Sequence, residues 1–330
     1  MGKLKSAEVK IYVYDGTAGS FTDSNLVYTL TKDRISTQTQ IIFEISDLVR
    51  DYMVHNFNDD YQCTTRWVTA QVTKIDQSTG VAYSVGGTSS QNFLLFDGFG
   101  FYEDAINPQL STNALITTNN IYLPEATAGK LPVFAEGVGK VSIDGVDTQI
   151  TDSGNSNQKI QYVTIPADSS TIIVYDTDDT TALKTINVNN VCEPKYTPFK
   201  TTFVNKHGAY QDCYFFKKSV ETFSVTDEMH KTNNIDVSSI SCATNKPQRQ
   251  RYDVNAKTNI SLNTGFIKED AKVTIEELFL SENVFIRFEN KTLPIHPVSK
   301  SFIHKTSLND KLINYSVDFE FAFDKINNVR

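Results

Sequence analysis

The chain has 330 residues, 39% of them hydrophobic and 21% charged, and a formal net charge of −8. That length is enough to bury a sizeable core in two or three domains, and the composition excludes a disordered tail. The acidic balance argues against nonspecific nucleic-acid binding, because the densest basic run, Lys246 to Lys257, holds only two lysines and two arginines.

Phe and Tyr are abundant, with 21 and 15 copies, while there are 3 Met and 1 Trp. With many Thr, Asn, Asp and Ser, this favours strands joined by polar turns. The opening "MGKLKSAEVKIYVYDG" runs from basic residues straight into a strand pattern, where Val9, Ile11 and Val13 alternate with Glu8, Lys10 and Tyr12. It lacks the long apolar run and cleavage site of a secretory signal, and no segment has the apolar length that spans a bilayer. Gly2 and Ser6 fit the myristoylation pattern, a short motif that arises often by chance. In "QIIFEISDLVRDYMVHNF" the residues Ile42, Phe43 and Ile45 predict a strand, Ser46 an N-cap, and Leu48, Val49, Tyr52 and Met53 one helical face. "RWVTAQVTKI" returns to strand, and "NFLLFDGFGFYEDAINPQL", rich in Gly and aromatics, predicts a buried, irregular crossing.

From about Ala126 the texture changes. "KVSIDGV", "IQYVTIPA", "STIIVYDTD" and "KTINV" are short strand patterns separated by turn-rich pieces such as "TDSGNSNQK", which predicts a compact Ig-like sandwich. "CEPKYTPFK" then predicts a linker. Beyond it, Phe203 to Asn205 and Ala209 to Phe216 predict a hairpin around Lys206–Gly208, followed by the strand "ETFSV", a polar loop through Lys246, and the long strand "RYDVNAKTNISLNTG". "KEDAKVTIEELFLSE" is helical, with Ala271, Ile275, Leu278 and Phe279 on one face. In the closing "INYSVDFEFAF", Ile313, Tyr315, Val317, Phe319, Phe321 and Phe323 alternate with Asn314, Ser316, Asp318 and Glu320, so one face is buried and one is wet. The expectation is a mainly β chain of two or three β-sandwich-like domains with a few short helices. The expected divisions are 1–125 with one short helix, 126–192 as the Ig-like module, and 193–330 with one helix.

The search for chemistry assigns no catalytic, cofactor-binding or metal-ligating residue. Cys63, Cys192, Cys213 and Cys242 are far apart and form no CxxC, so their spacing argues against a zinc site, no disulfide pairing follows, and reduced thiols are the simplest expectation. His207 and Cys213 have the residue types of a thiolate and its base, but no cysteine-enzyme motif flanks them, and a turn histidine beside a buried cysteine is the plainer reading. The histidines 55, 207, 230, 296 and 304 make no HxH or HExxH, and His296 lies between prolines in a segment that predicts an edge strand. Asp176, Asp178 and Asp179 suit calcium in type, yet Thr181 and Asn187 stand where an EF-hand needs Gly and Glu, so a surface turn is expected. "EGVGKVS" fails as a phosphate loop because Phe134 stands at the first Gly position and Val141 at the Ser/Thr. The sequons at Asn259, Asn290 and Asn314 are weak, since two lie in predicted strands.

One textural signal remains. "PKYTPFKTTFVNKHGAYQDCYFFKKSVETFSV" resembles a segment of virion structural proteins of tailed bacteriophages. In these, a strand ending in Phe/Leu-x-Asn-Lys/Arg-x-Gly-Ala leads into an aromatic strand and a Lys-Lys-Ser step. The positions are Phe203, Asn205, Lys206, Gly208, Ala209, Phe215, Phe216, Lys217, Lys218 and Ser219. "FDGFGFYEDAINPQL" and the C-terminal "HKTSLNDKLINYSVDFEFAFDKINNVR" are similar to the same group. The resemblance implies a non-enzymatic component of the tail, baseplate or neck, assembled in the bacterial host cytoplasm. Its implied partners are copies of itself in a symmetric assembly and neighbouring virion proteins, with no nucleic acid, membrane or cofactor. The alternative is a carbohydrate-binding adhesin using Trp67, Phe99, Phe101 and Tyr102 to stack on sugars.

Overall fold

The computed structural model describes residues 4–35, 40–83, 86–104, 113–232, 244–299 and 312–326. Within them the chain is mainly β, with two short α-helices and sheets of four, five and seven strands joined by two small two-stranded sheets.

The N-terminal sheet contains β1 (Leu4–Tyr14), β2 (Leu26–Asp33), β3 (Arg66–Asp76) and β4 (Thr88–Leu95), ordered β2-β1-β3-β4, with α1 (Ser46–Arg50) beside it. The register sets Val9 opposite Val72, Ile11 opposite Ala70 and Val13 opposite Val68, which stacks one apolar face against Val49 of α1. The strand expected at Ile42–Ile45 does not form. Phe43 and Ile45 reach this core from an extended segment without a ladder partner, and Ile42 is exposed. Ser46 is the first helical residue and not the cap; Ile45 holds that place, and the Ser46 hydroxyl donates to Glu44 at 2.5 Å.

The middle unit is a two-layer sandwich. Its larger sheet comprises β5 (Asn120–Pro124), β7 (Lys140–Ile143), β8 (Val146–Gln149), β10 (Thr171–Tyr175) and β11 (Ala182–Val191), in the order β5-β11-β10-β7-β8. The second layer pairs β6 (Gly129–Phe134) with β9 (Ile160–Ile165). Leu131, Val133, Val163 and Ile165 from this pair meet Val141, Ile172, Val174 and Ile186 in a dry core. The expected boundary after residue 125 cuts this unit, because β5 runs parallel to β11 as its edge strand.

The C-terminal sheet is built from β12 (Phe199–Val204), β13 (Tyr210–Phe215), β14 (Val220–Lys231), β15 (Arg249–Asn263), β17 (Val284–Phe288), β18 (Lys291–Pro297) and β20 (Ser316–Phe321). Their order is β13-β12-β17-β18-β20-β15-β14, with the short pair β16 (Ile267–Lys268) and β19 (Leu312–Ile313) alongside and α2 (Lys272–Leu280) laid over one face. The alternation in the last strand holds: Val317, Phe319 and Phe321 are buried with Ile275 and Leu278 of α2, and Phe215 meets Phe319 edge-on at 5.8 Å. Phe323 departs from the expectation, since the strand ends at Phe321 and the ring is exposed. Two further readings are corrected. His296 lies in an interior strand, between β17 and β20, where Pro294 still accepts the Ala322 N–H through its carbonyl. The loop expected after "ETFSV" is instead strand as far as Lys231.

Candidate functional site

The hairpin turn between β12 and β13 is the meeting point of all three sheets. Asn205 is fully buried and organises the turn. Its Oδ1 accepts from His207 N at 3.0 Å and Ala209 N at 3.2 Å, and its Nδ2 donates to Leu115 O at 2.6 Å and Gln211 Oε1 at 2.9 Å. One amide therefore satisfies the turn and ties it to the segment before β5. Gly208 has φ +76°, and a Cβ there would lie 2.8 Å from Asp97 N, so both conformation and space require glycine. The N-terminal unit grips the same turn: Thr64 Oγ1 donates to Gly208 O at 2.5 Å and Phe99 N to Lys206 O at 3.0 Å.

A half-buried polar cluster, centred on the buried Glu277, lies against this turn. Thr117 Oγ1 donates to Glu277 Oε1 of α2 at 2.5 Å, and His207 Nε2 is 3.5 Å from the same hydroxyl. His207 Nδ1 is buried without a hydrogen-bond partner. Lys184 Nζ donates to Ile116 O at 2.6 Å and Thr117 O at 3.1 Å. Burial, then the charges of Lys206 and Lys184, push His207 down to about 4. Burial also pushes Lys184 down to about 8 against the pull of Glu277. Burial raises Glu277 despite hydrogen bonds from Thr117 and the Lys206 N–H.

Threonine, histidine and glutamate in one cluster are the residue types of nucleophile and base. Here the hydroxyl is committed to the carboxylate and is held 3.5 Å from the imidazole, so the base does not take its proton. The apolar cavity along the neighbouring seam, lined in part by Ile116, Leu123, Tyr214 and Ile275, has about 50 Å³, room for water and not for a small-molecule substrate. The cluster's chemistry is that of a fastening between α2, the hairpin and the middle unit.

Two more carboxylates, the buried Asp97 and the half-buried Asp212, brace the hairpin. Asp97 accepts from His55 Nε2 at 2.7 Å and Arg50 Nε at 2.9 Å. Burial alone would raise Asp97, but these two hydrogen bonds outweigh it and hold the carboxyl below its ordinary value. Asp212 accepts from Tyr61 OH at 2.6 Å and Thr202 Oγ1 at 2.7 Å, with burial raising it above the usual carboxylate range.

The residues singled out from the sequence are thus dispersed. Cys213 lies in the C-terminal core with Phe203 and Phe215, its thiol pushed up to about 12 by burial and then by Asp212, whereas His207 sits with Thr117 and the two lysines. Asp178 closes a turn by accepting from Thr180 N at 2.8 Å and Thr181 N at 2.7 Å. Among the described residues no group of three or more His, Cys, Asp or Glu is placed to hold a metal ion, and Cys242 and His304 fall outside them. No helix among them is long and apolar enough to cross a membrane. Trp67 donates its indole N–H to Asn155 O at 3.1 Å, Phe99 and Phe101 meet edge-on at 6.0 Å with the ammonium of Lys206 over the Phe101 ring, and Tyr102 is fully exposed. Sequence reading missed Thr117, Lys184 and Glu277, which have no motif; Glu277 is one polar residue beside Ile275 and Leu278 on a helix whose face otherwise reads as core.

A second region is defined by exposure. Every one of the 12 residues of β14 is exposed, and the strand forms the outer edge of the seven-stranded sheet. β2, β4 and β8 are likewise outer strands of their sheets. No family model, curated protein or solved structure matches the chain.

Proposed function

We propose that the chain is a non-enzymatic structural component of a tailed-phage virion, of tail, baseplate or neck type, acting by self-association and by binding neighbouring virion proteins. The reading joins the resemblance of the Pro194–Val225 segment to a physical design suited to assembly. Three sheets are fastened into one body through a buried polar hub, and their outer strands are left at the surface. The observation that carries it is the wholly exposed edge strand β14, a surface that a free-standing protein keeps short or covered. Such edges on a rigid body favour repeated, symmetric contacts between like subunits.

The test is light scattering and negative-stain microscopy of the purified chain, with mass spectrometry of the phage particles that encode it. Closed rings or defined oligomers, and recovery of the chain from particles at fixed stoichiometry, are the expected results. A chain that stays monomeric at high concentration, is missing from particles and binds a glycan array would replace the reading with the adhesin alternative.

A further inference from the structure

We infer that the outer parts of β14 and β15 form a docking arm that seats on the acidic body of a second copy of this chain; the inference rests on the self-association reading and names the element that performs it. β15 pairs with β20 only from Asn259 to Asn263, while its ladder with β14 continues to Arg249. Beyond Asn255, where the Ile326 amide approaches, β15 has no neighbour but β14 among the described residues. A two-stranded ribbon in water is marginal on its own and is normally supported by a further surface.

The arm carries apolar side chains that no other described residue covers. Val220, Phe223, Val225, Met229, Tyr252 and Val254 are each between 36% and 59% exposed. Phe223 stands opposite Thr258 and Val225 opposite Ala256, on the same face as the core residue Ile260, so the core face of the sheet continues into solvent. Beyond the β20 ladder β14 runs from Phe223 to Lys231, an arm about 30 Å long at about 3.4 Å per residue. Two strands make it roughly 10 Å wide, so one face supplies about 300 Å², a part of one partner's contribution to a standard interface.

Charge selects the occupant. Beyond the bulge, the described residues 229–232 and 244–251 carry Lys231, Lys246, Arg249 and Arg251 and no acid, with Arg251 paired to Asp227 at 2.8 Å, while the rest of the −8 chain is net acidic. The basic end of one arm is therefore complementary to the body of another copy. The mode is face docking and not strand addition. The ladder slips between Thr226 and Glu228, Asp253 takes φ +49°, and Asp227 and Glu228 place charge on the edge, all of which discourage a further strand.

Sedimentation velocity across a concentration series, at low and high salt, tests this on the full chain. Wild type is expected to form oligomers that salt weakens. Phe223→Asp with Met229→Asp should weaken association by about tenfold or more while keeping the wild-type unfolding temperature, because both side chains are already exposed. Arg249→Glu with Arg251→Glu should weaken it and remove the salt dependence. A photo-crosslinker placed at position 225 should capture peptides from the body of the second copy. Arm variants that oligomerise like wild type, or crosslinks confined to the arm's own chain, overturn the arm while leaving self-association intact. A wild-type chain that is monomeric throughout overturns self-association, and the arm with it.

Discussion

The turn at Lys206–Gly208 and the arm of β14 and β15 belong to the same seven-stranded sheet and use similar residues: aromatics, Thr, Asn, Lys and one histidine each. Around the turn, Asn205 is fully buried and its amide makes four hydrogen bonds. On the arm, the Tyr252 hydroxyl bonds only to the nearby Glu228, at 2.5 Å, and both residues face water. The hairpin itself is a local matter of turn chemistry and cross-strand pairing. What separates the two is what the rest of the chain lays over them: Thr64, Asp97, Leu115 and Glu277 converge on the turn, and the arm receives none of them.

The sharpest break of that contrast is a charge in the core behind the turn. Phe319→Asp places a carboxylate where the ring is fully buried between Phe215 and α2, and a loss above about 4 kcal/mol, enough to unfold the C-terminal sheet, is expected by urea unfolding. A folded Phe319→Asp monomer that only fails to assemble would mean that the apolar face is an interface. Next in size, Gly208→Val forces a branched side chain onto φ +76° and into Asp97 N, and should lower stability by about 3 kcal/mol. An unchanged unfolding midpoint would show that the three sheets do not close on this turn.

Acid tests the hub more finely. His207 is held neutral, at about 4 against an ordinary 6.5, so the unfolded chain takes up its proton first as pH falls. Its contribution is complete above about pH 6.5 and declines as pH drops towards 4, by on the order of 2 kcal/mol. Glu277 has the opposite sign: its raised folded value favours the fold at low pH and loses that contribution as pH rises through it. Comparing His207→Gln with wild type from pH 4 to 7 should show a flatter stability profile in the variant. Two profiles of equal slope would remove the histidine from the hub's energetics. The smallest effect belongs to the wet face of the last strand. Reversing Asp318 and Glu320 breaks the exposed Lys257–Glu320 pair at 2.7 Å and should change monomer stability by about 0.5 kcal/mol, with any larger consequence confined to assembly.

The parts of this fold legible in the sequence are those whose signal is local. β1, β15 and β20 alternate, α2 presents a stripe, and Gly208 marks a turn. Where the reading failed, a local rule met a tertiary exception. "NIYLP" and "GKLPVF" carry Pro124 and Pro132 against a strand reading, yet β5 ends at its proline, and β6 ladders with β9 and makes only the isolated bridge Val133–Ala114 on its other side. Asp227 and Glu228 look like the start of a loop, but a bulge absorbs them and β14 continues to Lys231. His296 looks like an edge residue, but the missing proline N–H groups fall where the ladder with β20 is only three residues long. The hub was invisible for a different reason. Thr117 and Glu277 are 160 residues apart, and nothing in either neighbourhood announces the other.

Hydrogen exchange read by mass spectrometry, on the dilute monomer and on the assembled chain, compares the two regions directly. Amides of Asn205, His207, Gly208 and Ala209 are expected to be protected in both states, since Asn205 N and Gly208 N pair with backbone carbonyls of the turn, and His207 N and Ala209 N with the side chain of the buried Asn205. Amides of β14 that point away from β15 are expected to exchange at once in the monomer and to slow on assembly, as the arm is covered. An arm already protected in the monomer, or a turn whose protection changes when subunits join, would contradict the division of this molecule into a fastened hub and a free arm.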